Sequence, residues 1–140
     1  MKIHPYLNFP GTAEQAMKFY EKCLGGKLLE VHRFGSMPGS DKLPESVRNR
    51  VMHVTLELAE GVKIMASDTM DGMGPPYVAG TNMTVSIHPT SKAEADRVFA
   101  ALAEGSQVTM ELADQFWGDY FGSLTDRFGI QWMVNFHAGN

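Results

Sequence analysis

Hydrophobic and polar positions alternate with a period of two along several short stretches of the chain, as in strands with one buried face. The alternation is cleanest at 50–58, where every second residue from Met52 to Leu58 is apolar and His53 and Thr55 lie on the other side. The same pattern predicts strands at 3–9, 27–34, 62–68, 82–88, 107–112, 119–125 and 130–136. Their apolar faces need a second layer to cover them.

Two further stretches carry apolar residues at helical spacing, between signals that begin and end helices. Thr12 and Ser91 each stand three residues before a glutamine or glutamate, which is the spacing of an N-terminal capping box. The helix-ending glycines Gly26 and Gly105 are separated by the same interval as the two caps. This agreement predicts an internal repeat in which a βαβββ unit is used twice.

The predicted elements form one α+β domain built from two modules. The stretch TMDGMGPPYVAG, at 69–80, has turn-forming residues and no period, so it is the expected linker. We therefore expect a single domain over 1–140, with the first module at about 1–68 and the second at about 81–140. Each sheet carries a helix on its apolar face, which leaves a more polar face on the other side.

Charge and composition exclude several kinds of partner. The formal net charge is −4 and Lys and Arg are scattered, so no basic face is available for nucleic acid or an anionic membrane. The single cysteine, Cys23, is expected to be a small buried hydrophobe, as in a reducing compartment. The N-terminal MKIHPYLNF lacks the apolar core of a signal peptide, and no apolar run is long enough to span a membrane. We expect a cytoplasmic protein.

Four sequence strings carry a more specific resemblance: PYLNFPGTAEQAMKFYEKCLGG, VMHVTLEL, IMASD and FWGDYFGSLTDRFGIQWMVN. Together with the doubled module, they resemble the PhnB-like group of the vicinal oxygen chelate superfamily, which contains glyoxalases, bleomycin-resistance proteins and extradiol dioxygenases. The resemblance implies that each mixed sheet curves into a cup for a small-molecule ligand. It also implies a homodimer.

The resemblance further implies where a metal would be held. Catalytic members of the superfamily bind a divalent metal with four side chains, usually His, Gln or Glu, from the first and last cup strands of both modules. By strand phase these places fall near His4, Met65, Asn82 and Met133. Only His4 is a usual ligand, so we predict no metal and no other cofactor. If a displaced metal site exists, a shift in strand phase would bring Asp68 into use beside His4.

PhnB-like proteins often carry a name that suggests a demethylubiquinone methyltransferase. A methyl-donor nucleotide normally sits on a glycine-rich turn between a strand and a helix. No such G-x-G element directly joins a predicted strand to a predicted helix in this chain. The sequence therefore does not support methyl transfer.

His53 is the candidate catalytic residue. On the cup wall, with Thr55 beside it, His53 could act as a general base or as a hydrogen-bond donor to a substrate. The alternative is a structural histidine whose nitrogens are satisfied by the backbone or by neighbouring hydroxyls.

The closing hairpin, 116–135, contains both tryptophans and contributes to a polar face. Phe116 and Trp117 are expected either to form an aromatic wall at the cup mouth or to pack at the sheet edge. Asp126 is expected to stabilise the hairpin turn. The neutral hydrogen-bonding side chains fit either a pocket for a neutral polar or aromatic ligand or a wet interface; they are Asn82, Thr84, Ser86, Gln131 and Asn135.

Three functions remain open from the sequence: metal-independent binding of a small molecule, an enzyme centred on His53 or on a displaced metal site, and a protein-contact module with a vestigial cup. The first is the main prediction. Its expected ligand-binding residues are His4, Tyr6, Thr55, Met65, Asp68, Asn82, Thr84, Ser86, Trp117, Gln131, Met133 and Asn135.

Overall fold

In the computed structural model, which describes residues 1–138, the chain forms two compact units, Met1–Val78 and Ala79–Asn140. Each unit contains one mixed β-sheet and a helix of 12 residues. In each, the strand before the helix pairs in parallel with the last strand of the unit. The predicted α+β architecture and its repeat are therefore confirmed. Within the described residues, no helix is long and apolar enough to cross a membrane.

The first unit, whose residues are all described, has a five-stranded sheet in the order β1-β5-β4-β2, with β3 also paired to β4. Its elements are β1 (Tyr6–Phe9), α1 (Ala13–Leu24), β2 (Lys27–Leu28), β3 (His32–Arg33), the short α2 (Glu45–Arg48), β4 (Val51–Ala59) and β5 (Val62–Asp68).

The core of the first unit lies between α1 and the sheet. The buried face of α1 packs on β4 and β5. Cys23 is buried in this face, as predicted for a small hydrophobe. After the helix, the chain returns to the sheet through Gly26, where a Cβ would lie 2.4 Å from the carbonyl oxygen of Glu57. Only glycine permits this approach, so Gly26 sets how closely the end of α1 meets β4.

A second tie between α1 and the sheet is an ion pair. The Nη2 of Arg33 donates to both carboxylate oxygens of Glu14, at 3.0 and 2.9 Å. This hydrogen bond, together with the charges of Arg33 and Lys18, holds the pKa of Glu14 below its usual value. The pair connects the first turn of α1 to β3.

Three local predictions for the first unit are wrong. The first strand begins at Tyr6 rather than at residue 3. The second predicted strand is broken into β2 and β3, because the two short strands pair with different parts of β4 and the register shifts at His32 and Arg33. Thr12 makes no side-chain cap to α1; the carboxylate of Asp68 supplies that cap instead.

Asp68 is a buried carboxylate that accepts three backbone hydrogen bonds. Its Oδ1 accepts from the N–H of Gly11 at 3.0 Å and of Ala13 at 2.9 Å, and its Oδ2 accepts from the N–H of Val51 at 2.8 Å. One side chain at the end of β5 thus accepts hydrogen bonds from the backbone N–H groups at the start of α1 and at the start of β4. Helix N-termini carry free N–H groups and favour negative charge, which explains the carboxylate.

The second unit has a four-stranded sheet in the order β6-β9-β8-β7 over its described residues. Its elements are β6 (Val85–Ile87), α3 (Lys92–Ala103), β7 (Gln107–Asp114), β8 (Asp119–Thr125) and β9 (Gln131–His137). The apolar side of α3 packs on β7, β8 and β9, and the buried residues there are Ala95, Val98, Phe99, Leu102, Leu124, Trp132 and Val134.

The closing hairpin of the second unit forms as predicted, between β8 and β9. Asp126 is buried in its turn, where Oδ1 accepts from the N–H groups of Phe128 at 2.8 Å and Ile130 at 3.0 Å. Its Oδ2 accepts from the indole N–H of Trp132 at 2.8 Å. The prediction that Asp126 stabilises the turn is confirmed.

The start of the second unit agrees with the prediction in part. The N–H of Glu94 donates to the Oγ of Ser91 at 3.0 Å, so Ser91 caps α3 as predicted. The strand predicted at 82–88 is reduced to the three residues of β6.

Candidate functional site

We call the side of each sheet that faces away from its helix the open face. On the first open face, Tyr6 lies opposite Met65 in the parallel β1–β5 pair, and Met65 lies opposite Thr55 in the antiparallel β5–β4 pair. The strands alternate as predicted, because Leu7, Val54, Leu56, Ile64 and Ala66 are buried on the other side. The structure therefore brings together three predicted ligand-binding residues beside His53.

His53 lies between two hydroxyl groups on this face. Its Nδ1 is 3.1 Å from the Oη of Tyr6, and its Nε2 is 3.1 Å from the Oγ1 of Thr55. The rings of Tyr6 and His53 are 5.7 Å apart and tilted by 35°. Both nitrogens thus have partners, as in a histidine satisfied by neighbouring hydroxyls. To act as a base, His53 would have to exchange one of these hydroxyls for a substrate.

Asp68 does not reach the first open face. It shares the buried side of β5 with Ile64 and Ala66, and it is only 4% exposed. Its two oxygens hold the three backbone N–H groups described above. The placement of Asp68 beside His4 in a displaced metal site is therefore wrong. His4 itself is half-buried and precedes β1.

The second open face carries the alternate residues of β9. Gln131, Met133 and Asn135 point to this side, since Trp132 and Val134 are buried on the other. In the ladder Met133 lies between Ser86 of β6 and Ser123 of β8. Four predicted ligand-binding residues thus share this face: Ser86, Gln131, Met133 and Asn135.

Local hydrogen bonds engage several of the polar groups on this face. The Nε2 of Gln131 donates to the carbonyl of Met83 at 2.6 Å. The hydroxyls of Ser123 and Thr109 are 2.7 Å apart, and the Oγ of Ser86 is 2.9 Å from the Nε2 of His88.

Asn82 and Thr84 do not project from a strand, contrary to the prediction. Both are exposed and lie before β6, which begins only at Val85. The strand predicted over Asn82–His88 therefore begins three residues too early. The backbone ladder does not place these two side chains on the second open face.

Aromatic rings extend from the turn between β7 and β8 onto the second open face. Trp117 is 48% exposed and contacts Phe121 of β8, with ring centroids 6.1 Å apart. Phe116 is 98% exposed and meets the other side of Trp117 in an edge-to-face pair at 5.1 Å. Phe121 is on the open side because its neighbours in sequence, Tyr120 and Gly122, pair with helix-side residues of β9.

The sequence analysis missed one pair of residues on this face. Asp119 and His137 lie directly opposite each other in the β8–β9 ladder, and the Nδ1 of His137 hydrogen-bonds to the carboxylate of Asp119. This hydrogen bond lowers the pKa of Asp119. Counting outward from the Asp126–Ile130 turn would have paired the two residues, but the last strand was predicted to end one residue too early, at position 136.

The residues present do not fit the metal that the superfamily implies. Two of the four expected positions hold thioethers, Met65 and Met133, and a third, Asn82, holds an amide outside the strands. Divalent metals of the borderline and hard classes prefer imidazole and carboxylate ligands. Among residues 1–138, no group of three or more His, Cys, Asp or Glu side chains is arranged to hold a metal ion.

Sequence comparison relates the chain to known proteins over nearly its whole length. A family described as 3-demethylubiquinone-9 3-methyltransferase matches residues 1–135. Protein YjdN of Escherichia coli (strain K12) is 32% identical over an alignment of 143 positions, which covers 96% of this chain and 95% of YjdN.

Solved structures show the same fold. Protein PA1353 from Pseudomonas aeruginosa superposes with a TM-score of 0.85 at 39% identity, covering 98% of both chains. The PhnB protein from Bacillus cereus has a TM-score of 0.77 at 26% identity, covering 97% of this chain and 99% of its own. A glyoxalase/bleomycin resistance protein from Albidiferax ferrireducens T118, with a TM-score of 0.62 at 17% identity and coverage of 96% and 97%, shares the fold.

Proposed function

This chain belongs to the family described as 3-demethylubiquinone-9 3-methyltransferase, which is the PhnB-like group of the vicinal oxygen chelate superfamily. From this membership we propose that the chain binds a small neutral polar or aromatic molecule without a divalent metal. The site proposed is the open face of the second sheet. The observation that carries the proposal is the combination there of half-exposed aromatic rings with neutral hydrogen-bonding groups.

The aromatic part of this face offers a surface for a planar ligand. Trp117 and Phe121 present ring area at one end of the sheet, and Trp117 keeps about half of its surface exposed. Aromatic rings bind other rings by offset or edge contacts, with a gain of about 0.5–1.5 kcal/mol beyond area burial. Neutral amides and hydroxyls nearby would orient the ligand, as in most small-molecule sites.

The donor set supports binding without a metal. A thioether at Met65 and another at Met133 would leave a hard or borderline dication with too few favourable ligands. Asp68, the one carboxylate considered as a replacement, is engaged by backbone N–H groups on the opposite side of its sheet.

The turn between β1 and α1 lacks the glycine-rich element of nucleotide-binding folds. Residues 10–12 contain one glycine, Gly11, and no G-x-G motif. The family's descriptive name is therefore not matched by this feature of the chain.

The test is a thermal-shift screen with a panel of aromatic and neutral polar compounds, because a ligand of the native state raises the melting temperature by mass action. We expect at least one aromatic compound to raise Tm in metal-free buffer, and Trp117→Ala to abolish the shift. Arg97→Ala, an exposed change on α3, is the control and should leave the shift intact.

Two results would contradict the proposal. One is a panel without any shift, which would favour a protein-contact role. The other is a tightly held transition metal found by elemental analysis at one per chain and lost in His4→Ala.

A second candidate function is catalysis by His53. The observation in its favour is the row Tyr6, His53 and Thr55, in which a hydroxyl lies at hydrogen-bond distance from each ring nitrogen. Such a row could pass a proton to or from a substrate on the first open face. Compounds that bind in the screen would be incubated with the protein and followed by mass spectrometry. Turnover that disappears in His53→Ala with Tm nearly unchanged would establish this role, and turnover that survives would exclude it.

A further inference from the structure

The pairing of β8 with β9 places a hydrogen-bonded dyad, Asp119 and His137, next to the aromatic rings of the second open face. Asp119 lies opposite His137, and Phe121 lies opposite Asn135, which is two residues from the first pair on each of the antiparallel strands. Residues two apart on a strand point to the same side. All four side chains therefore share one patch, which Trp117 adjoins through its contact with Phe121 at 6.1 Å.

The hydrogen bond within the dyad determines which nitrogen of His137 is available. A carboxylate accepts hydrogen bonds, so the neutral imidazole must carry its proton on Nδ1, toward Asp119. Nε2 is then a lone-pair acceptor. The His137 side chain is 45% exposed, and its Nε2 has no hydrogen-bond partner within residues 1–138.

The carboxylate that orients His137 is the less exposed member of the dyad, at 19% against 45%. Asp119 begins β8, two residues before Phe121, and both lie in the ladder with β9. The histidine is therefore oriented by a residue of the same strand that carries the ring surface.

We propose that this patch selects aromatic ligands that carry a hydroxyl group, with the ring against Trp117 and Phe121 and the hydroxyl donating to the Nε2 of His137. This inference rests on the proposed function and names its ligand class. The patch supplies one ring surface and one outward-facing acceptor, which is the complement of a phenol. An aromatic compound without a donor would keep the ring contact but leave Nε2 unpaired.

The experiment compares 4-methylphenol with 4-methylanisole, in which a methyl group replaces the hydroxyl proton. Binding of each probe is measured by isothermal titration calorimetry at pH 8, where an alkyl phenol, like the tyrosine side chain, keeps its proton. For the wild-type protein we expect 4-methylphenol to bind about tenfold more tightly, the preference that one net hydrogen bond of ordinary strength gives.

The variant Asp119→Asn tests whether the carboxylate sets which nitrogen of His137 carries the proton, while the histidine itself stays in place. The asparagine amide can donate to Nδ1, which moves the imidazole proton to Nε2 and turns the acceptor into a donor. We expect Asp119→Asn to reduce the phenol preference to about onefold to twofold while 4-methylanisole binding stays close to wild type. His137→Ala should remove the preference in the same way. The matched control is Asp96→Asn. Asp96 lies on α3, where its carboxylate accepts a hydrogen bond from the hydroxyl of Tyr120, so this variant should keep the phenol preference.

The outcomes separate the two proposals. Equal affinity of wild type for both probes, lost in Trp117→Ala, would overturn the hydroxyl selection and leave small-molecule binding intact. A phenol preference that persists in both Asp119→Asn and His137→Ala would likewise overturn the assignment to this dyad. If neither probe binds, this inference fails, and a compound panel without any shift would show that the proposed function has failed as well.

Discussion

Asp68 offers the sharpest test of how the first unit is held together, through the substitution Asp68→Asn. The side chain is buried, and its two oxygens accept from Gly11, Ala13 and Val51 at 2.8–3.0 Å. Asparagine has nearly the same shape but only one acceptor oxygen. If that oxygen stays with the two N–H groups at the start of α1, the amide NH₂ must face the N–H of Val51, donor against donor.

The expected magnitude follows from these contacts. A hydrogen bond to a charged group contributes about 1.5–3 kcal/mol, and a buried donor left without an acceptor costs about 1–3 kcal/mol. These terms overlap, so we expect the free energy of unfolding to fall by about 3 kcal/mol. For a chain of 140 residues this corresponds to a Tm lower by about 10 °C.

The assay is urea denaturation followed by circular dichroism, with Tm from calorimetry. Asp71→Asn, in an exposed loop three residues away, is the control and should change stability by less than about 0.5 kcal/mol. A loss below about 1 kcal/mol for Asp68→Asn would refute the reasoning, because the backbone N–H groups would then not depend on the carboxylate. Below its Tm, Asp68→Asn should also bind aromatic probes like the wild type, since Asp68 lies away from the open faces.

Two further predictions concern the helix starts and the acid response. Ser91→Ala should lower the free energy of unfolding by about 1 kcal/mol, because the Ser91 side chain caps α3. Thr12→Ala should change it by less than about 0.5 kcal/mol, because Thr12 makes no side-chain cap. Equal losses of the two variants in urea denaturation would contradict this. Glu14→Gln should flatten the fall of stability at low pH. The pKa of Glu14 is lowered in the folded protein by its hydrogen bond to Arg33. The contribution of Glu14 to the free energy of unfolding is therefore complete above its pKa in the unfolded chain, about 4.3, and is lost as pH falls through its lower pKa in the folded protein. The side chain is 32% exposed and screened, so the effect should stay below about 1 kcal/mol, and Tm profiles at low pH that coincide for variant and wild type would argue against it.

Local patterns were sufficient to predict most of the fold. The alternation in β4 and β9 identified the open faces correctly, since Val54, Leu56, Trp132 and Val134 are buried as that phase requires. The Ser91 cap and the Asp126 turn were also predictable, because in both cases donor and acceptor are within a few residues of each other. Periodicity and short-range hydrogen bonding are properties that a single segment carries by itself.

The wrong cap for α1 has a physical cause, which is that the true cap is a contact between distant segments. Thr12 has the right spacing for a cap, but its side chain makes none, and the N–H of Ala13 at the start of α1 donates instead to Asp68 of β5. The dyad of Asp119 and His137 was missed for a different reason. The hairpin register pairs the two residues, but β9 extends one residue past its predicted end, to His137.

The Asp68 cap also bears on how the first helix forms during synthesis. Its hydrogen bonds to Gly11 and Ala13 join residues 57 and 55 positions apart, whereas the cap of α3 joins Ser91 to Glu94. During synthesis, α3 can close its first turn as soon as it emerges, but α1 must wait with its N-terminal amides in water until β5 has been made. Long-range closure of this kind is slow. The two halves of a repeated architecture thus begin their helices in different ways: α3 by a contact within its own first turn, and α1 by a contact with a strand residue synthesised 55 residues later.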